Sequence, residues 1–280
     1  MKISRILLLA SLPLTFLATL LMLIAFATAY DPGVSNYFAL GNPLPILASV
    51  AALLVIACGI AASIVAKRLS EPFSPLPAPS SATFPAALGA LGSSVLLFVF
   101  KNRFPAKLQT AATVSAILFL LAAVFFLLAA LRIAEKHAFS ILWAGFAAII
   151  APIVLNAVYY FDMTVEMNAP VKVLAQMGLL AAMLCVTVEI RALIGRTNPS
   201  LTPVLLSFAL SLCCLSSLPL IFAAIAGKVF SGAYIAAVPF LLGVGLTAGI
   251  RMCGMIFTGK SESPVSEPEN TDHESFGGAE

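Results

Sequence analysis

Glu189 and Arg251 are an acid and a base set inside otherwise apolar runs. Charged groups in such surroundings usually pair or face a cavity. The expectation is therefore a Glu189–Arg251 ion pair between two helices. The alternative is that each side chain snorkels separately to the membrane interface. Arg191, two residues after Glu189, falls on a different helix face and is not the natural partner.

The stretch from Tyr159 to Asn168 is the richest in functional groups, with two acids, three aromatics and an amide in ten residues. Tyr160, Asp162, Glu166 and Asn168 form a candidate outward-facing site for a cation or a polar ligand. The competing reading is an aromatic belt with a capped turn, in which Asn168 is the N-cap and Pro170 opens the next helix.

Uncharged polar residues elsewhere suggest packing. Asn156 and Gln176 can face one another across two helices joined by a short loop. Ser207 and Ser211 share one helix face. Gly245 and Gly249 form a G-x-x-x-G, and Gly59 with Ser63 a second small-residue pair. In lipid such faces let helices approach closely.

Little else could do chemistry. The two histidines, His137 and His273, fall in a turn and in the tail, so no His-ligated metal site is expected inside a bundle. Five cysteines lie in apolar runs without metal-site spacing and read as packing residues. No nucleophile–base motif, H-E-x-x-H or Walker sequence occurs. The expectation is a non-enzyme with no catalytic residue, metal or cofactor.

The elements that hold these residues follow from composition. Hydrophobic residues make up 61% of the 280 and charged residues 10%. A soluble domain needs about a quarter of its residues charged, so the solvent here is largely lipid. Eight apolar runs are bounded by charge, Pro or Gly: 6–29, 44–66, 84–100, 110–131, 139–161, 171–190, 201–226 and 231–257. Backbone in lipid must satisfy its own hydrogen bonds, and the runs do not alternate as barrel strands do, so they are helices. The fold class is an all-α polytopic membrane bundle. The 84–100 run is short and rich in Gly and Ser, which fits a tilted or partly re-entrant helix.

Segment 69–83 is a Pro/Ser-rich linker that cannot hold a helix. Residues 258–280 form an acidic tail with the composition of a disordered segment. With the N-terminus inside, ten Lys and Arg lie on the cytoplasmic side and five outside. This asymmetry favours both termini in the cytoplasm of a plasma-membrane protein. Similar punctuation at the ends of the first and fifth spans is compatible with a parallel four-plus-four repeat, or with generic capping alone. The net charge of +3 gives no footprint for nucleic acid.

Two functions remain open. One is a small permease-like bundle for an uncharged or lipid-like solute. The other is a non-catalytic sensor, assembly factor or subunit with a membrane-protein partner or a second copy of itself. The bilayer is a partner in either case.

Overall fold

A computed structural model describes residues 2–31, 37–69, 73, 76–133, 138–225 and 232–257. The acidic tail and both histidines lie outside the described residues. Eight long helices are present: α1 (Ile3–Thr28), α2 (Leu44–Arg68), α3 (Phe84–Phe100), α4 (Ala106–Ala130), α5 (Ala138–Phe161), α6 (Pro170–Leu193), α7 (Thr202–Ile225) and α8 (Val238–Phe257). All are long and apolar enough to cross a membrane, α8 together with the helical turn Gly232–Ile235 before it. The chain is a multi-pass helical membrane protein.

Local chemistry marks the helix ends. Proline stands in the first turn of α2, α3 and α6, where its missing N–H costs nothing. The turn after α6 closes at Gly195, whose φ of 67° suits a residue without Cβ. There the Arg196 N–H reaches the Arg191 carbonyl at 2.9 Å, satisfying an otherwise orphaned helix-end acceptor.

The helices pack around two centres. α7 lies between the α1–α2 hairpin on one side and α6 and α8 on the other. The sequence α3, α4, α5, α6 forms a second curtain of successive neighbours, and α8 closes it by packing on α3. α6 packs along α7, whereas α2 and α3, its counterparts in the first half, are not close neighbours. The end where α1 begins is called here the N-terminal face, and the opposite end the distal face. On the distal side Tyr30–Asp31 pairs antiparallel with Tyr37–Phe38. The rings of Tyr30 and Phe38 lie 4.9 Å and 5.0 Å from that of Phe26, tying this hairpin to α1.

Three features refine the expectations. The 84–100 run is one continuous helix. Flanking 3₁₀ turns at Ser81–Thr83 and Lys101–Arg103 lengthen it to a 23-residue span. The last span is interrupted by a turn at Ala236–Ala237, just before Pro239, which has no N–H to donate to the Ile235 carbonyl. The described linker residues 76–80 hold no helix, and the linker ends in the 3₁₀ turn Ser81–Thr83; it is not a free tether. Phe73, Leu76 and Thr83 are buried, and the Thr83 hydroxyl donates to the Phe126 carbonyl of α4 at 3.2 Å.

Small residues set the helix spacing. A Cβ on Gly89 of α3 would stand 2.3 Å from the Pro239 carbonyl oxygen of α8. One on Gly243 of α8 would stand 2.3 Å from the Pro85 carbonyl oxygen of α3. The two backbones therefore touch at two points one turn apart. Between these helices Ser93 Oγ accepts the Phe240 N–H at 3.0 Å, capping a donor that α8 leaves free in its first turn.

Candidate functional site

The structure brings Glu189 and Arg251 together. Arg251 Nε donates to Glu189 Oε1 at 2.8 Å and Nη2 to Oε2 at 2.6 Å, a two-point pairing across α6 and α8. Glu189 is fully buried and Arg251 is 4% exposed. Arg251 Nη1 donates to the Ala78 carbonyl of the buried linker at 3.4 Å. The guanidinium thus joins two helices and the linker near the N-terminal face. Both charges are consumed in this contact, which suits a lock better than a reacting centre. Arg191 instead donates to the Arg196 carbonyl in the turn after α6.

The candidate outer-loop site divides. Tyr160 is about half exposed, and Glu166 and Asn168 are exposed. Only Asp162 turns inward, with 1% of its surface exposed. The helical twist explains the split: Tyr160 and Phe161 lie on the outer side of α5, whereas Asp162 follows Tyr159 and Val158 toward the bundle. Asn168 does not cap α6. Ala169 holds that position with no side-chain cap, and Pro170 opens the helix. Glu166 stands beside the Tyr37 hydroxyl of the distal hairpin. Interaction of the phenol proton with Glu166, then burial, then the Glu166 charge raise the Tyr37 phenol above its ordinary value of 10.0.

Asp162 joins residues that the loop sequence did not single out. Its Oδ1 accepts the Thr164 N–H at 3.0 Å and the Thr164 hydroxyl at 2.6 Å. Its Oδ2 is buried without a hydrogen-bond partner among the described residues. Lys172, fully buried in the first turn of α6, donates to the carbonyls of Asp162 at 2.7 Å and Val165 at 3.3 Å. The Tyr159 hydroxyl donates to the Ala233 carbonyl at 2.8 Å, and its ring lies 4.7 Å from that of Tyr234. The Tyr234 hydroxyl is buried without a partner. A cation at a helix N-terminus opposes the helix dipole. That made Lys172 a legible signal of a nearby acceptor cluster. The proline at 239 was the corresponding signal for the break that delivers Tyr234.

Asn156 and Gln176 are not joined by a hydrogen bond among the described residues, and Asn156 Oδ1 is buried without a partner. Asn156 shares a face of α5 with Tyr159, not with Gln176 of the neighbouring helix. The serines of α7 face α2: Ser211 donates to the Ala52 carbonyl at 3.2 Å, and a Cβ on Gly59 would collide with Ser207 Oγ. Ser63 donates to the Ser200 carbonyl at the end of the same interface. Gly245 and Gly249 face α7, the first against Cys214 and the second more loosely against Leu210. Among the described residues no group of three His, Cys, Asp or Glu could hold a metal.

An apolar groove of about 430 Å³ lies between α1 and α7. Leu12, Phe16, Leu23, Leu218, Phe222 and Ile225 are among its lining residues. Two threonines, Thr15 and Thr19, also border it, but their hydroxyls donate to the Ser11 and Thr15 carbonyls at 2.8 Å each. Neither threonine hydroxyl is therefore free to donate to a ligand. The groove runs from mid-helix toward the distal face on both helices. Comparison with family models, with curated proteins and with solved structures found no match.

Proposed function

We propose that this protein is a non-enzymatic, permease-like bundle of the cell membrane that handles an uncharged, lipid-like molecule, with both termini cytoplasmic. The observation that carries the reading is the α1–α7 groove. Its volume of about 430 Å³ falls within the range of small-molecule sites. Its apolar lining selects a chain-like hydrophobe over an ion or sugar, because a polar solute would lose hydration there without gaining hydrogen bonds. The interrupted last span supports it, since discontinuous helices recur where transporters rearrange. The orientation rests on the excess of Lys and Arg in loops on the N-terminal face.

The test is photolabelling of the full chain in nanodiscs with a diazirine-bearing fatty acid, followed by peptide mapping. Labelling concentrated on Leu218, Phe222 and Phe16, and competed by unlabelled acyl chains, is expected. Labelling spread evenly over all lipid-facing helices would overturn the groove as a site.

A second reading is a sensor, assembly factor or subunit. It is favoured by the close backbone contacts at Gly89 and Gly243, which suit a rigid scaffold more than a moving carrier. Cross-linking in native membrane, then purification, would recover a stoichiometric membrane partner on that reading.

A further inference from the structure

We infer that the polar stripe of α5 beside the break before α8 binds a small monovalent cation of sodium or potassium size. Three oxygen atoms there are buried and unpartnered among the described residues: Asn156 Oδ1, Asp162 Oδ2 and Tyr234 Oη. Asp162 and Tyr234 are each 1% exposed. Asn156, Tyr159 and Asp162 recur at every third position and share one side of the helix. Asp162 keeps the helical course, since its N–H still reaches the Val158 carbonyl at 3.0 Å. Asn156 lies about 9 Å of helix rise deeper than Asp162, so Asp162 Oδ2 and Tyr234 Oη are the atoms that hold the ion and Asn156 marks the inner end of the stripe. Tyr159 holds the Ala233 carbonyl, which sets Tyr234 and the turn at Ala236–Ala237 against it.

The chemistry of the free atoms chooses the ligand. A carboxylate oxygen and an amide oxygen accept and cannot donate, so they call for a cation or a donor group and reject an anion. A divalent ion is disfavoured, because the site has one carboxylate and the Lys172 ammonium rests on the Asp162 carbonyl. Lys172 also repels the bound ion, so binding is weak and the lysine limits it. Thr164, which holds Asp162 Oδ1, lines a recess of about 580 Å³ with Pro105, Lys107, Phe161 and Met163. This inference stands on the distal stripe and not on the α1–α7 groove, so either can fail alone.

The test uses the purified full chain in nanodiscs. NaCl and, in parallel, KCl are titrated against choline chloride at constant ionic strength while the thermal midpoint is followed. A saturable rise with Na⁺ or K⁺ but not with choline is expected. Asp162→Asn should abolish it. Lys172→Gln should shift half-saturation to lower salt, because the repelling charge is gone. Tyr234→Phe removes a hydroxyl that makes no hydrogen bond among the described residues, so it should fold and bind more weakly. An equal response to choline means that water alone fills the stripe and overturns the inference. So does an unchanged half-saturation in Tyr234→Phe, a folded Asp162→Asn that keeps the response, or weaker binding in Lys172→Gln.

Discussion

Arg251 on α8 meets both carboxylate oxygens of Glu189 on α6, at 2.8 Å and 2.6 Å, and the same guanidinium reaches the Ala78 carbonyl of the linker. Removing either partner strands a buried charge. Glu189→Ala and Arg251→Ala should each cost about 3–5 kcal/mol of stability. The double replacement Glu189→Leu with Arg251→Met should recover most of that loss, because an apolar pair strands nothing. Thermal unfolding in one detergent checks this. Additive losses in the double variant would contradict it.

The glycines of α8 are not equivalent. Gly243→Ala forces a Cβ to within 2.3 Å of the Pro85 carbonyl oxygen, so α3 and α8 must separate. A loss of about 1–3 kcal/mol is expected. At Gly249 the nearest atom to a new Cβ is Leu210 Cδ1 at 3.4 Å, and Gly249→Ala should be nearly silent. Equal effects on the thermal midpoint would show that the α3–α8 approach is not a close backbone contact.

How far these contacts could be read from the chain depends on range. The spans were legible because charge is costly in hydrocarbon, and gaps in charge mark them. Glu189 and Arg251 stood out for the same reason, as charges within apolar runs at similar depth. The outer cluster was harder. Grouping Tyr160, Asp162, Glu166 and Asn168 by proximity in the chain ignored the helical twist, which turns Asp162 inward and Tyr160 outward, and the exposed loop that carries Glu166 and Asn168. Tyr234 lies 72 residues beyond Asp162, and no local pattern links the two. The linker's composition argued against a long helix, and residues 76–80 form none. It carried no sign that Phe73 and Leu76 would be buried, because that depends on the space left between α4 and α8.

The distal contact between Tyr37 and Glu166 makes a pH prediction. The phenol stands beside Glu166, so its folded titration lies above that of a free tyrosine. The stabilisation is complete below the free-tyrosine value and is lost as pH rises through the raised folded value, in alkaline solution above about 10. Glu166→Gln removes the charge and should move the Tyr37 titration down toward the ordinary value. Site-specific ¹³C-tyrosine NMR reads this directly. An unchanged Tyr37 titration in the variant would mean that Glu166 is not its partner.

Orientation is open to a simple assay. Alkaline phosphatase fused after Gly41, Phe104 or Asn168 should be active, as befits an outer compartment. Fusions after Arg68, Arg132 or Gly195 should be inactive. The reverse pattern would place the N-terminal face outside, against the excess of Lys and Arg there.

The claim that the α1–α7 groove moves a lipid-like molecule is tested most directly by leaflet exchange in proteoliposomes. A fluorescent single-chain lipid is loaded in one leaflet and quenched from outside over time. The wild-type chain should speed the exchange. Leu218→Trp, which fills the groove, should return it to the protein-free rate while leaving the thermal midpoint close to that of the wild type. No acceleration by the wild type, or equal acceleration by a folded Leu218→Trp variant, would contradict it.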